Sequence, residues 1–178
     1  MIFCHVAMTP ADDYATRRIA HREAHLARAV ALRSRGYILA GGPGPDGRST
    51  DVLYRVSDLE MLRRLVEEDP YFTGGVWTAY RPRPFSQFLE PWEQPPVVTD
   101  GSRQVTIVEG LTPDVDMASL ALIEARGAGR MAFGGFFPSG ETLAVMRTVD
   151  PAEAAKWLDE TGLWTAGTLT TRPWLYVL

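Results

Sequence analysis

The sequence has little of what several classes of protein depend on. Its 178 residues include a single cysteine, Cys4, which excludes an intrachain disulfide and a metal site built on cysteines. No apolar run approaches the roughly 20 residues that a membrane-spanning helix needs. The chain has 18 basic and 22 acidic residues, a formal net charge of −4, and no basic stripe of the kind that binds nucleic acid. We therefore expect neither a membrane span nor a nucleic-acid partner.

The N-terminal segment and the composition predict a cytoplasmic globular protein. Residues 1–8 are apolar, but they are too few for the core of a signal peptide, and Pro10 and Asp12 follow at once. Hydrophobic residues make up 46% of the chain and charged residues 22%, which is an ordinary globular balance. The length suits one ordinary domain or two small ones.

A sequence pattern occurs twice along the chain. Residues 36–47 read GYILAGGPGPDG and residues 129–140 read GRMAFGGFFPSG. The double glycine, the second proline of the first block and the last glycine match at an offset of 93. Residues 69–77, DPYFTGGVW, match residues 161–169, TGLWTAGTL, at an offset of 92. Two matched blocks in the same order predict a tandem repeat.

The predicted elements follow the same order in both halves. In the first half we predict strands at 2–7, 37–41, 52–56 and 76–81 and helices at 11–35 and 58–68. In the second half we predict strands at 104–109, 130–134, 142–148 and 168–176 and helices at 113–126 and 151–160, with Pro113 at an early helical position. The βαββαβ order is typical of a ferredoxin-like α+β fold, in which both helices cover one face of a four-stranded antiparallel sheet.

The other face of each predicted sheet is also apolar and needs a partner. We therefore expect the two ferredoxin-like halves to pack sheet to sheet as a pseudo-dimer of the dimeric α/β-barrel type. The predicted bounds are residues 1–90 for the first half, a proline-rich linker at residues 91–103, and residues 104–178 for the second half.

The predicted topology brings all three histidines near one edge of the first sheet. This edge contains the end of the first strand with His5, the start of the first helix with His21 and His25, the turn between strands two and three, and the end of the second helix. His25 flanks the apolar stripe of its helix, and Arg22 lies three residues before it. Asp69, at the end of the second helix, can accept a hydrogen bond from one ring nitrogen of His25 and leave the other for proton transfer.

Two stretches of the first half carry a recognisable set of motifs. In residues 22–47, REAHLARAVALRSRGYILAGGPGPDG, His25 stands eleven residues before Gly36, and a Gly42-Pro43 turn follows. Residues 67–75, EEDPYFTGG, contain Asp69-Pro70-Tyr71. Over about 80 residues this arrangement resembles the YCII (YciI-like) family of small ferredoxin-like domains.

The resemblance implies a function and a pair of site residues. The family's histidine and aspartate are regarded as a catalytic pair, and they carry over to His25 and Asp69. One branch of the family includes dehydrochlorinases that act on chlorinated hydroxyquinols, and the fold is shared with muconolactone isomerases. The resemblance thus implies chemistry on small cyclic compounds without a cofactor.

The second half departs from this pattern. At the offsets given above, Ala118 stands in place of His25 and Thr161 in place of Asp69. Neither side chain supports acid–base chemistry, so we predict a degenerate second copy and one site per chain.

Two further motifs resemble a nucleotide site and a metal site, but neighbouring residues argue against both. Residues 42–47, GPGPDG, match G-x-G-x-x-G, but two prolines and a following strand favour a hairpin turn over a nucleotide site. His21 and His25 have the spacing of metal ligands, but Arg22 and Ala24 replace the glutamate of the zinc motifs. We predict no bound metal, and the alternative is a metal with His5 or Asp69 as third ligand.

Taken together, the residues and the resemblance predict a small lyase or isomerase without a cofactor. It would catalyse dehydration, dehydrohalogenation, isomerisation or cyclisation of a small phenolic or lactone-like substrate, with His25 as general acid and base oriented by Asp69. The predicted substrate-binding residues are Arg22, His5, His21, Gly42, Pro43 and Tyr71. Two alternatives stay open: a small-molecule-binding module in which His25 and Asp69 are structural, and a cofactor-free oxygenase. Association of two chains into a homodimer also stays open.

Overall fold

The backbone forms two antiparallel sheets with helices, and contacts divide the chain into two units. The computed structural model describes residues 1–178. The first unit consists of Met1–Pro84, Pro95–Ser102 and Tyr176–Leu178, and the second of Phe85–Gln94 and Arg103–Leu175. The predicted α+β fold with two halves is confirmed. The packing of the halves as a pseudo-dimer and their origin in a tandem repeat stay predictions.

The first unit has a four-stranded sheet in the order β2-β3-β1-β4. Its elements are β1 (Ile2–Pro10), α1 (Tyr14–Arg17), α2 (Arg22–Ser34), β2 (Ile38–Pro43), β3 (Thr50–Val56), α3 (Leu59–Glu67), α4 (Pro70–Thr73) and β4 (Trp77–Pro84). The single helix predicted at residues 11–35 is therefore two helices, with a turn of 3-10 helix, Arg18–Ala20, between them. The boundary matters because it places His21 at the N-terminal cap of α2.

Alternation along β1 separates the two faces of the first sheet. Cys4, Val6 and Met8 are buried in a hydrophobic core with residues of α2 and α3. Successive side chains of a strand point to opposite faces, so His5 lies on the face away from this core. The helices are fixed over the first face by their apolar stripes, with Ala29 of α2 almost fully buried.

The second unit has a five-stranded sheet in the order β5-β7-β8-β6-β9. Its elements are β5 (Gln87–Leu89), β6 (Gln104–Leu111), α5 (Val115–Gly127), β7 (Met131–Phe136), β8 (Glu141–Met146), α6 (Pro151–Asp159) and β9 (Thr170–Leu175). Without β5, the strand order corresponds to that of the first unit. Both units therefore have the same βαββαβ topology.

Two local predictions differ from the structure. The segment around residues 85–90, which we placed in the first half, belongs to the second unit because β5 forms there and pairs with β7 along its edge. Pro113 precedes the helix that we expected it to open, because Asp114 is the N-terminal cap of α5 and its carboxylate accepts a hydrogen bond from the Met117 amide at 3.0 Å. No helix is both long and apolar enough to cross a bilayer.

Candidate functional site

His25 and Asp69 are hydrogen-bonded to each other in the first unit. The distance from His25 Nδ1 to Asp69 Oδ1 is 2.8 Å, and the two side chains are 15% and 4% exposed. His25 lies one turn into α2, and Asp69 is the N-terminal cap of α4, which Pro70 opens. The sequence analysis predicted this contact between two residues that are 44 positions apart.

Asp69 also caps the helix α4. Its Oδ1 accepts a hydrogen bond from the Tyr71 amide at 2.8 Å, so the same oxygen binds the backbone and the imidazole. The backbone bond fixes the direction in which the carboxylate points. The structural role of Asp69 therefore contributes to its position beside His25.

The partner of Nδ1 determines where the imidazole carries its proton. An ionised carboxylate can only accept hydrogen bonds, so in neutral His25 the proton is on Nδ1. The Nε2 atom then has a free lone pair and can take a proton from another molecule. This is the arrangement that a general base requires.

Two aromatic rings contact the imidazole, and a third contacts one of them. The Tyr71 ring stacks on His25 with centroids 3.9 Å apart and an interplanar angle of 12°. The Trp77 ring is perpendicular to both, at 5.1 Å from His25 and 5.3 Å from Tyr71. Tyr14 of α1 meets Tyr71 edge to face at 6.4 Å. These contacts hold the imidazole in one plane and give the site apolar walls.

Two arginines place positive charge near this cluster. The Arg18 guanidinium lies 5.4 Å from the centre of the Tyr14 ring. The pKa of Tyr71 is raised to about 12, chiefly by burial and also by the neighbouring Tyr14, while the charges of Arg18 and Arg22 act in the opposite direction. Arg22, a predicted site residue, is therefore within electrostatic range of the ring that stacks on His25.

His21 packs against the turn that follows α4. A Cβ at Gly74 would lie 2.5 Å from His21 Cε1 and Nε2, so the imidazole occupies the space that only a glycine leaves. His21 is brought near the cluster, but its ring contacts the backbone of this turn and not the His25–Asp69 pair.

The other predicted substrate-binding residues have different positions. His5 Nε2 lies 2.7 Å from Asp51 Oδ1 on the face of the sheet away from α2, and both residues are 4% exposed. Gly42 and Pro43, expected in a turn, are the last residues of β2 and pair with Asp51 and Thr50. The structure thus brings together His25, Asp69, Tyr71 and the start of α2, and it separates His5 from them.

Sequence reasoning missed three residues of the cluster: Tyr14, Arg18 and Trp77. Tyr14 and Trp77 are 8% and 2% exposed, and such burial is ordinary for aromatic residues of a core. The signal that could have found Trp77 is its place at the start of the last strand, directly after the Asp-Pro-Tyr motif and its glycine turn.

Two other kinds of site find no support in the chain. Burial raises the pKa of the Cys4 thiol to about 11, so Cys4 is an inert core residue. No group of three His, Cys, Asp or Glu side chains is arranged to hold a metal ion. In the second unit, Ala118 is buried in the core, and Thr161 caps a turn through hydrogen bonds with Leu158 and Leu163.

Comparison with known structures shows the fold. A protein of Lactobacillus acidophilus, solved as a proposed monooxygenase, has a TM-score of 0.61 at 14% identity, with 99% of this chain and 94% of that chain covered. A second proposed monooxygenase, from Fusobacterium nucleatum, has a TM-score of 0.58 at 8% identity, covering 99% and 92%. At such identities the likeness concerns the fold alone.

Comparison by sequence concerns the first half. The protein YciI of Escherichia coli is 30% identical over 97 residues, which cover 49% of this chain and 98% of that protein. Protein YciI of Shigella flexneri matches to the same extent. The family model of the YCII-related domain matches residues 1–86, the part of the chain that contains His25 and Asp69. Through its first half, this chain therefore belongs to the YCII-related family.

Proposed function

We propose that the first unit contains the active site of a small lyase or isomerase, with His25 as the catalytic acid and base and Asp69 as the residue that orients it. The observation that carries this proposal is the 2.8 Å hydrogen bond from Nδ1 to a buried carboxylate, which leaves Nε2 to exchange a proton with a substrate. The match of the YCII-related model to this half of the chain also supports it.

The proposed reaction needs one proton and one pair of electrons to move. Nε2 takes a proton from a carbon of the substrate, and Asp69 stabilises the imidazolium that forms. The electron pair of the broken C–H bond forms a double bond. In a dehydration or dehydrohalogenation the leaving group departs with its own bonding pair, and in an isomerisation the proton returns to another carbon.

The surroundings of His25 favour a small cyclic substrate. Tyr14, Tyr71 and Trp77 offer flat apolar surfaces against which a planar ring can pack. Arg18 and Arg22 supply positive charge that lowers the energy of an enolate or a phenolate. We therefore propose phenolic and lactone-like compounds as the substrate class.

The proposal is tested by turnover of a panel of halogenated hydroxyquinols, phenols and unsaturated lactones. General acid–base catalysis typically contributes about 10²–10⁴ in rate, so His25→Gln should lose at least a hundredfold in kcat/KM. The matched control is Glu23→Gln, an exposed residue on the same helix, which should keep full activity. Urea unfolding should show that both variants remain folded.

Three results would contradict the proposal. Normal turnover by His25→Gln would remove the catalytic role of the imidazole. Saturable binding of panel compounds without any product would instead support a binding module, and consumption of oxygen would support the oxygenase alternative.

A further inference from the structure

The indole N–H of Trp77 is a buried donor without a hydrogen-bond partner in the protein. Trp77 is 2% exposed, and its Nε1 atom is inaccessible to solvent and makes no hydrogen bond. Buried donors are nearly always paired, because an unpaired one has lost its hydrogen bonds to water without replacement. Such a group therefore calls for a specific explanation.

Another buried tryptophan of the same chain is fully satisfied. Trp164 of the second unit is 5% exposed, and its Nε1 donates to Thr142 Oγ1 at 2.9 Å. The fold can thus supply an acceptor to a buried indole with a single threonine hydroxyl. The unpaired state of Trp77 is a property of its position and not of buried tryptophans in this protein.

That position is beside the proposed catalytic group. The Trp77 ring contacts both His25 and Tyr71, and Asp69 Oδ1, the carboxylate oxygen bound to His25, already accepts two hydrogen bonds. Departures from such rules of stability are expected mainly at functional or strained sites. The indole lies next to the imidazole that a substrate would meet, with the ring centroids 5.1 Å apart.

We propose that Trp77 is a substrate-binding residue whose N–H donates to an oxygen of the substrate. This inference rests on the proposed function and narrows its substrate class. The oxygen would be a carbonyl, enol or phenol oxygen conjugated with the carbon that exchanges a proton with His25. Negative charge grows on this oxygen as the proton leaves, so the hydrogen bond strengthens in the transition state. Rings without such an oxygen would not be substrates.

The segment that carries Tyr14, which contacts Tyr71, has few buried side chains. Among residues 14–20, which form α1 and the 3-10 turn, only the Tyr14 side chain is buried. Segments with few buried apolar contacts open locally at low cost in free energy. Displacement of Tyr14 would uncover the part of Tyr71 that it contacts edge to face.

The direct test observes the indole N–H itself by nuclear magnetic resonance. The five indole resonances are recorded on the full chain labelled with 15N-tryptophan, and Trp77 is assigned by its absence in Trp77→Phe. The probes are the enolate of 1,3-cyclohexanedione, which has two acceptor oxygens, and toluene, which has none. We expect the Trp77 resonance to move downfield saturably with the enolate and not with toluene, while the Trp164 resonance stays in place.

A second measurement removes the N–H without changing the shape of the ring. Replacement of Trp77 by β-(3-benzothienyl)-L-alanine puts sulfur in the place of Nε1. It should weaken binding of the enolate about tenfold or more and leave binding of toluene unchanged. The same replacement at position 164 is the matched control: it should leave enolate binding unchanged and lower Tm, because Thr142 loses its partner. Replacement at position 77 should not lower Tm.

The outcomes separate this inference from the proposed function. If the Trp77 resonance does not move while the enolate perturbs His25, or if replacement at position 77 lowers Tm as much as at position 164, the inference is wrong. Neither measurement uses turnover, so normal activity of His25→Gln would overturn the catalytic proposal alone. Loss of activity in His25→Gln with an unmoved Trp77 resonance would overturn this inference alone.

Discussion

Substitution of Asp69 separates its role as a helix cap from its role as the partner of His25. Asp69→Ala removes two hydrogen bonds at once, those from the Tyr71 amide and from His25 Nδ1, both at 2.8 Å. Loss of a capping residue costs about 1 kcal/mol, and a buried group left without its partner costs about 1–3 kcal/mol. We therefore expect the free energy of unfolding to fall by about 2–4 kcal/mol.

The matched control is Asp58, which caps α3 and has no histidine partner. Its carboxylate accepts a hydrogen bond from the Met61 amide at 2.8 Å, and the residue is exposed. Asp58→Ala should therefore lose the cap and the exposed hydrogen bond that Oδ2 accepts from the Ser57 hydroxyl at 2.8 Å, but no bond to a buried imidazole. Urea unfolding of both variants gives the difference, which we expect to equal the contribution of the His25 bond, about 1–3 kcal/mol.

Asp69→Asn tests whether the charge of Asp69 matters beyond its hydrogen bonds. Because Oδ1 accepts from both the Tyr71 amide and His25 Nδ1, an asparagine oxygen in the same place can keep both bonds and the proton on Nδ1. A neutral amide stabilises an imidazolium less than a carboxylate does, so we expect kcat/KM to fall about tenfold or more. We expect 15N chemical shifts of His25 to show the neutral imidazole protonated at Nδ1 in both proteins. Equal losses of stability in Asp69→Ala and Asp58→Ala, with full activity in Asp69→Asn, would refute the reasoning.

Two further predictions concern the surroundings of the pair. Burial raises the pKa of Tyr71 from 10.0 to about 12, so the folded state favours the neutral phenol. The stability that this preference contributes is complete below pH 10 and is lost as the pH rises through about 12. Tyr71→Phe should therefore unfold at a higher pH than the wild type in alkaline titrations followed by circular dichroism. Unfolding at a lower pH would contradict the predicted direction of the effect. Gly74→Ala should destabilise by about 1–3 kcal/mol, because the new Cβ meets the His21 ring at 2.5 Å. The same change in a His21→Ala background should be tolerated, and an equal cost in both backgrounds would show that the clash is not with His21.

The positions of His25 and His5 show what the sequence could and could not predict. His25 was paired with Asp69 correctly, because the family motif and the βαββαβ topology both place them at one edge of the sheet. His5 was grouped with them because the predicted topology places the end of the first strand at that same edge. Alternation along that strand puts its side chain on the opposite face, beside Asp51. The burial of Cys4 and Val6 in the helix-covered core makes this assignment certain only once the fold is known.

The aromatic part of the site illustrates a different limit. Tyr14 was part of a predicted long helix, and Trp77 lay in a predicted strand. Both are buried, and their rings also contact the His25–Tyr71 stack. Hydropathy predicts that a ring is buried, but it does not predict which other ring it contacts.

The sequence by itself determined the order of strands and helices, the α+β class and the pairing of His25 with Asp69. These features depend on local periodicity, on capping and turn residues, and on a motif, all of which can be read along the chain. Only the tertiary structure decided that β5 joins the second sheet, that His5 and His25 lie on opposite faces, and that Trp77 has no hydrogen-bond partner. Each of these depends on atoms that are far apart in sequence, and whether a buried polar group is satisfied is determined by the three-dimensional arrangement of its neighbours.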